Sequence, residues 1–97
     1  MARGGWVYMM ADRYRGAIYT GVTANIPARA FAHLEGRGSK FCARYGLMRL
    51  VYTEHAPTIE EAIAREKAVK KWLRAWKIEL IERANPNWDD LFEQINW

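Results

Sequence analysis

The stretch Tyr19-Thr-Gly-Val-Thr-Ala-Asn-Ile-Pro-Ala-Arg-Ala-Phe-Ala-His33 passes from a β-rich run through a polar turn into a helix. Asn25 has a side-chain oxygen that can cap this helix, and Pro27 in the first turn loses only an amide without an intrahelical partner. Because residues four apart share a helical face, Arg29 and His33 project together. A permanent cation beside a group that titrates near neutrality suits an anion site, although an isolated pair is also typical of a solvated surface.

The residues before this stretch predict a β-hairpin. Two β-rich runs, Trp6 to Ala11 and Ala17 to Val22, are separated by a polar segment that ends in glycine. With a four-residue loop, Tyr8 falls directly opposite Tyr19. We therefore expect two phenols side by side, with Gly21 leaving room for a ligand or another backbone.

The residues after the stretch predict two helices and a third strand. The first helix should run from about Ile26 to Glu35, and Ser39 can cap a short helix that continues through Tyr45. Leu47 to Glu54 is rich in Leu, Val, Tyr and Thr, which is typical of a strand. We expect this strand to join the sheet of the hairpin.

A long helix should begin at Thr58, which stands in capping-box spacing with Glu61. Apolar residues recur every three or four positions and define its buried face: Ile59, Ala62, Ile63, Val69 and Leu73. Glu66 falls on the same face. A buried carboxylate is costly unless it meets a cation, a metal or several donors, so Glu66 marks either a functional site or a structural salt bridge to an arginine.

The helical pattern continues to Ala84, with a break near Arg74, and should end before the Asn85-Pro pair, because the residue before proline disfavours helix. Residues 88–92 resemble a short amphipathic helix that packs back on the domain. Trp97 is expected to close the edge of the core.

The composition indicates one domain, residues 1–97, in which 51% of the residues are apolar. The longest early apolar run is too short for a signal peptide or a membrane span, which predicts a cytoplasmic protein without membrane contact. Cys42 cannot form an internal disulfide, and we assign it no catalytic role, although a Cys-His nucleophile is the alternative. No motif for an organic cofactor and no cysteine pair for zinc is present.

The basic residues are unevenly distributed. The net charge is +4, but residues 1–50 hold eight Arg or Lys against two acids, and residues 65–77 hold six against one. Residues 79–97 hold five acids against one Arg. A local basic stripe suits a phosphate backbone and is equally typical of a solvated helix face.

The chemistry-bearing residues occur in a characteristic order. Trp6-Val-Tyr8 and Tyr19-Thr-Gly21 precede Arg29, His33 and a helical Glu66, with Asn85 beyond. This order resembles the GIY-YIG nuclease family from Trp6 to about Leu91. The chain is most similar to the small stand-alone members related to the amino-terminal nuclease domain of the bacterial excision-repair incision subunit. It departs from the named tripeptides at Trp6, Val7 and Thr20, and it has Val22 where members often carry a basic residue.

The resemblance implies an α+β fold, a small three-stranded antiparallel sheet packed with helices. It implies these catalytic residues: Tyr8, Tyr19, Arg29, His33, Glu66 and Asn85. Glu66 would bind one Mg²⁺ or Mn²⁺. Arg29 would hold the scissile phosphate, Tyr8 is favoured as the base, His33 could accept its proton, and Tyr19 could orient water or phosphate.

The implied activity is metal-dependent hydrolysis of phosphodiester bonds in DNA, in repair or recombination, with RNA left open and the oligomeric state unspecified. The residues predicted to contact the nucleic acid are Arg37, Lys40, Lys67, Lys70 and Lys71. The alternative functions are a non-catalytic basic module that binds nucleic acid, and a structural adaptor that uses exposed tryptophans. A buried Glu66 favours the hydrolase, because a carboxylate near the phosphate would only repel the ligand of a pure binder.

Overall fold

The computed structural model describes residues 4–95. Three strands, β1 (Gly5–Ala11), β2 (Ile18–Thr23) and β3 (Arg49–Ala56), form an antiparallel sheet in the order β2-β1-β3. Helices pack against this sheet, which confirms the predicted α+β class. None of the helices in residues 4–95 is long and apolar enough to cross a membrane.

The register of the hairpin differs from the predicted one by two residues. Tyr8 pairs with Gly21 rather than with Tyr19. The connecting loop is longer than expected, because the Asp12 carboxylate accepts a hydrogen bond from the Ala17 amide at 2.8 Å and so closes the turn outside the strands. A shift of two residues keeps every side chain on its expected face, so both tyrosines still share one side of the sheet.

Two helices lie between β2 and β3, namely α1 (Ile26–Leu34) and α2 (Lys40–Tyr45). After β3 come α3 (Ile59–Lys70), α4 (Arg74–Ala84) and a 3₁₀ turn at Phe92–Gln94. The three predicted caps are confirmed. Asn25, Ser39 and Thr58 each accept a hydrogen bond from the amide three residues later, at 3.1 to 3.3 Å. The expected C-terminal amphipathic helix over 88–92 is wrong, since only the 3₁₀ turn forms there; Trp97 lies outside the described residues.

The predicted long helix is interrupted at residues 71–73, between α3 and α4. The expected buried face is correct for Ala62, Glu66 and Val69 but wrong for Ile63 and Leu73, which are 36% and 62% exposed. Leu73 adopts an extended conformation at the start of α4, so the helical period no longer carries it toward the core.

The sheet separates two apolar layers. Tyr8 and Met10 on β1 pack with α1, α2 and Leu50 on one side, while Met9 packs with Val69 of α3 and the elements beyond it on the other side. The chain after α4 returns to β3, where the Leu91 amide donates to the Leu50 carbonyl at 2.7 Å. The Leu50 amide in turn donates to Asp90 at 3.1 Å. The face that carries Tyr8 and α1 is therefore the one on which Tyr8 and His33 meet, whereas α3, which carries Glu66, packs on the opposite side of the sheet.

Candidate active site

The centre of the site is a buried hydrogen bond between β1 and α1. The Tyr8 hydroxyl lies 3.0 Å from His33 Nε2, and the two rings meet edge to face with centroids 5.4 Å apart. Tyr8 is 1% exposed and His33 is 3% exposed. The cap at Asn25 sets the start of α1 and thereby places His33 two turns later against the sheet.

His33 is a neutral hydrogen-bond partner of Tyr8. Burial, followed by the positive charge of Arg29, lowers the pKa of the imidazole below its ordinary value. The ring is therefore neutral at pH 7, and one of its nitrogens is an acceptor. Its other nitrogen, Nδ1, is buried and has no hydrogen-bond partner among the described residues. All of the hydrogen bonding of this side chain is thus directed at Tyr8.

Two glycines make room for this pair. A Cβ atom added at Gly21 would lie 2.5 Å from the Tyr8 hydroxyl, and one added at Gly38 would lie 2.4 Å from the His33 ring. Each aromatic ring therefore packs directly on backbone, where any larger residue would clash. The expected space at Gly21 is filled by Tyr8 itself, not by a ligand.

Arg29 is the cation of the site. Burial raises the pKa of Tyr8 above its ordinary value, and the nearby Tyr19 adds to the rise, whereas Arg29 opposes it through its charge and a hydrogen bond. Arg29 also reaches the Gly38 carbonyl at 3.5 Å. Because Arg29 is only half-buried, its guanidinium can meet an anion from solvent while it remains beside the phenol.

Tyr19 forms the solvent side of the cluster. Its ring centroid lies 6.2 Å from that of Tyr8 and 6.0 Å from that of His33. Unlike Tyr8 it is partly exposed. The structure therefore brings four side chains together: Tyr8 and His33 are buried, and Tyr19 and Arg29 are partly exposed.

Glu66 is buried on α3, as the sequence predicted, at 7% exposure. Its partner is a lysine rather than the arginine of the structural alternative: Lys70 Nζ lies 2.7 Å from Glu66 Oε2, and the Lys70 side chain is half-exposed. This hydrogen bond raises the pKa of the Lys70 ammonium above its ordinary value, so the lysine stays charged beside the carboxylate.

The donor set around Glu66 limits which metal fits. No group of three His, Cys, Asp or Glu side chains that could hold an ion occurs among residues 4–95. A single carboxylate is too little for a structural zinc site. It suits Mg²⁺ or Mn²⁺, which keep several waters and share one or two carboxylates with substrate phosphates. Glu66 fits such an ion once the half-exposed Lys70 ammonium gives way.

Asn85 lies at the C-terminal end of α4, as expected, and its side chain bonds to the backbone around β3. Its Nδ2 donates to the Val51 carbonyl at 3.0 Å and to the Asp89 carbonyl at 2.9 Å, and its oxygen accepts from the Asp89 amide. In the register of β1 with β3, Met9 pairs with Tyr52 and Met10 with Leu50, which leaves Val51 as the extra residue of a bulge. Asn85 thus satisfies a bulge carbonyl and bonds to no member of the tyrosine cluster.

The predicted phosphate contacts divide into paired and free cations. Arg37 pairs with Glu35 and Lys70 with Glu66. Among residues 4–95, Lys40, Lys67 and Lys71 are exposed and make no ion pair with a carboxylate. Other members of the basic stripe support the fold: Arg65 pairs with Glu54, and Arg74 donates to the carbonyls of Arg15 and Gly16.

Two contributors to the site were missed by the sequence analysis. Gly38, which carries the His33 ring on its backbone, had only its position beside the Ser39 cap as a signal. Phe41 stacks on Tyr19, with centroids 6.1 Å apart. The four-residue spacing of Phe41 and Tyr45 on α2 could have indicated this aromatic face.

The chain matches the model of the GIY-YIG catalytic domain over residues 4–79. It is 35% identical over 80 residues to a UPF0213 protein of Clostridium perfringens, an alignment that covers 82% of this chain and 86% of the relative. A UPF0213 protein of Staphylococcus haemolyticus is 36% identical over 66 residues, covering 68% of this chain and 80% of the relative. No solved structure gives a significant match. With the whole tyrosine cluster and Glu66 inside the matched range, the chain belongs to the GIY-YIG family.

Proposed function

We propose that this protein is a divalent-metal-dependent endonuclease that hydrolyses phosphodiester bonds in DNA. The observation that carries the proposal is the buried hydrogen bond between Tyr8 and His33, 3.0 Å long, beside the guanidinium of Arg29. This arrangement joins a proton acceptor to a phosphate-binding cation in one cluster. The family match supports a nuclease, while repair or recombination as the setting rests on the resemblance noted in the sequence.

The residues can divide the chemistry among them. Arg29 holds the scissile phosphate and offsets the charge that develops on its oxygens. Tyr8 takes a proton from the attacking water as its own proton passes to His33 Nε2, so no free phenolate is needed at neutral pH. Tyr19, on the solvent side, orients the water or the phosphate. Because Tyr8 is buried, the side chains that cover it must move before water reaches its hydroxyl.

Glu66 would hold the metal. A bound Mg²⁺ or Mn²⁺ would polarise a phosphoryl oxygen and stabilise charge on the leaving oxygen. The ammonium of Lys70, released from the carboxylate, would then be free to contact a neighbouring phosphate, which agrees with its predicted role in nucleic-acid binding.

The second candidate is a basic module that binds nucleic acid without turnover. It is favoured by the ion pair of Glu66 with Lys70, because this contact satisfies the buried carboxylate without a metal. The two candidates differ in the effect of neutralising Glu66: the hydrolase loses activity, whereas the binder loses no function that requires the charge.

Supercoiled plasmid incubated with Mn²⁺, and in parallel with a chelator, tests the proposal. We expect nicking by the unmodified protein with Mn²⁺ and no nicking by Glu66→Gln. The matched control is Glu60→Gln, which neutralises an exposed carboxylate on the same helix and should retain activity. Absence of nicking by the unmodified protein, combined with tight plasmid binding, would favour the binding module.

The roles of the tyrosines are tested in the same assay. Tyr8→Phe removes the hydroxyl but keeps the ring on Gly21, so cleavage should fall by about 10²-fold or more while the fold persists. Tyr19→Phe should also be damaging. Near-normal rates in both variants would end the tyrosine mechanism and leave the water to be activated by other groups.

A further inference from the structure

Helix α2 presents two adjacent stripes to solvent. Phe41 and Tyr45 lie four residues apart and are 46% and 56% exposed. Lys40 and Arg44, also four apart, are exposed beside them. Because residues four apart share a helical face, the aromatic rings and the cations run side by side along this short helix.

The aromatic stripe is continuous with the candidate active site. Phe41 stacks on Tyr19 with the ring planes inclined by 25°, and its centroid lies 4.9 Å from that of Tyr45. The Arg44 guanidinium lies over the Tyr45 ring, 5.6 Å from its centroid. We call Tyr19, Phe41 and Tyr45 the aromatic ladder; it leads outward from the tyrosine cluster to solvent.

The ladder differs from other exposed aromatic surface in its charge. Helix α2 contains no acidic residue, and within residues 4–95 neither Lys40 nor Arg44 pairs with a carboxylate. A cavity of about 380 Å³ between Trp72 and Trp76 provides a comparison. Its two guanidiniums are already paired, that of Arg65 with Glu54 and that of Arg83 with Glu79. Of these two surfaces, only the ladder combines solvent-exposed aromatic rings with cations that are not paired with carboxylates.

We propose that the aromatic ladder, with Lys40 and Arg44, is a binding site for unpaired nucleotides, whose bases stack on the rings while the cations contact the phosphates. Stacking of this kind requires base faces that a continuous duplex does not offer. The inference deepens the proposed function, on which it rests, because it names the substrate class: a single-stranded segment of DNA or RNA led toward Tyr19 and Arg29.

Fluorescence anisotropy can test this proposal in the presence of a chelator, so that no cleavage occurs. The probes are a labelled thymidine homopolymer, a uridine homopolymer and a blunt DNA duplex of equal length. Phe41→Leu with Tyr45→Leu keeps apolar volume but removes both π faces. We expect this double variant to bind the single strands about tenfold more weakly, and the duplex within about twofold of the unmodified protein. The two homopolymers show whether DNA or RNA is preferred.

Tyr45→Leu alone gives a second reading, since Tyr45 lies at the outer end of the ladder and its loss leaves the Phe41 contact with Tyr19 in place. Trp76→Leu is the matched control, because it removes an equally exposed ring elsewhere and should change neither affinity. Lys40→Ala with Arg44→Ala should weaken single strands and duplex alike.

Three results would overturn the proposal. The first is unchanged single-strand affinity in both Leu variants, and the second is an equal loss of duplex and single-strand affinity in the Phe41→Leu, Tyr45→Leu double variant. The third is that the Leu variants keep their single-strand affinity but lose binding to vesicles of phosphatidylglycerol, which would assign the ladder to an anionic lipid surface. The plasmid assay is independent of these binding measurements. If the unmodified protein does not nick plasmid but the Leu variants still lose single-strand affinity selectively, the endonuclease is refuted and the ladder stands. If the protein nicks plasmid but the Leu variants bind single strands normally, only the ladder is refuted.

Discussion

His33, which we propose takes part in the reaction, carries an energetic cost. Its Nδ1 is buried without a partner among the described residues, and desolvation of such a group opposes folding. The Tyr8 hydroxyl and the packing on Gly38 hold the ring in place nonetheless. A buried polar group kept at some expense in stability is typical of residues that serve a reaction rather than the fold.

The titration of His33 predicts a loss of stability in mild acid. Because its pKa is lower in the folded protein than in the unfolded chain, the unfolded chain binds the extra proton first as the pH falls. The free energy of unfolding should therefore be unaffected by His33 above about pH 6.5, the pKa of a histidine in the unfolded chain. Below that pH it should decline by at most about 1.4 kcal/mol per pH unit. Urea denaturation between neutral pH and about pH 5 measures the slope.

The slope should be reduced in His33→Gln and retained in His55→Gln, the other histidine variant. The Glu82 carboxylate does not contribute in this window, because its hydrogen bond to Arg15 lowers its pKa to about 2. Equal slopes in the unmodified protein and His33→Gln would contradict the assignment of a neutral imidazole.

Sequence reasoning predicted the burial of Glu66 but not the hydrogen-bond partners of Asn85, for a physical reason. The burial of Glu66 follows from its spacing to residues of the same helix, so local periodicity was sufficient. The role of Asn85 depends on a bulge at Val51, 34 residues earlier, which arises only when β1 and β3 pair. The cluster of Tyr8 with His33 likewise joins two elements, and it was inferred through family resemblance rather than from spacing.

At the scale of elements, helix α3 carries both Glu66 and its partner Lys70, so a metal that binds Glu66 must compete with the Lys70 ammonium. We expect Lys70→Met to bind Mn²⁺ up to about fivefold more tightly, since an ion pair whose lysine is half-exposed is worth at most about 1 kcal/mol. Paramagnetic relaxation of water protons by Mn²⁺ measures this affinity without requiring cleavage. Lys67→Met, which removes an exposed cation from the same helix, should change the affinity less.

The stability of Glu66→Gln separates the two roles of the carboxylate. Because Lys70 can turn toward water, neutralising Glu66 should alter the free energy of unfolding by less than about 1 kcal/mol. A loss of several kcal/mol, with nicking retained, would identify the pair as structural.

The bulge in β3 gives a second prediction at this scale. Asn85→Ala leaves the Val51 carbonyl and the Asp89 amide without their side-chain partner, which should cost about 1–3 kcal/mol. For a chain of this size that corresponds to a fall of at least about 4 °C in the melting temperature. Thermal unfolding followed by circular dichroism measures the change. Asn87→Ala, at an exposed position two residues on, is the control; an equal shift in both variants would exclude the bulge as the cause.

The elements themselves were largely predictable because their limits are local. Side-chain caps at Asn25, Ser39 and Thr58 follow from residue type and position. The two-residue error in the hairpin came from the Asp12 side chain, which closes a longer turn than the glycine signal suggested. The interruption after Lys70 lacks a Pro or Gly to announce it, so only its approximate place near Arg74 was predicted.

At the scale of the molecule, binding to nucleic acid should depend on free rather than total positive charge. Ion pairs neutralise several cations, whereas Lys67 and Lys71 remain unpaired with carboxylates in the described residues. We expect Lys67→Ala with Lys71→Ala to reduce the slope of log affinity against log salt by about 2, close to 0.9 per duplex phosphate contact. Anisotropy over about 50 to 200 mM salt provides the slope.

The control for this measurement is Arg13→Ala with Arg83→Ala, which removes two cations already paired with Asp12 and Glu79. Its slope should match that of the unmodified protein. A reduction as large as in the lysine variant would mean that total net charge governs the binding.

The return of the chain after α4 protects the sheet from association with other sheets. β3 is an outer strand, and its open backbone groups are a template for pairing with another chain. The Leu91 amide and the Asp90 carboxylate occupy both backbone groups of Leu50, so the beginning of this outer strand is already bonded within the molecule. A short segment with little regular structure thereby covers part of one edge of a small three-stranded sheet, a task that larger proteins often give to an additional strand or helix.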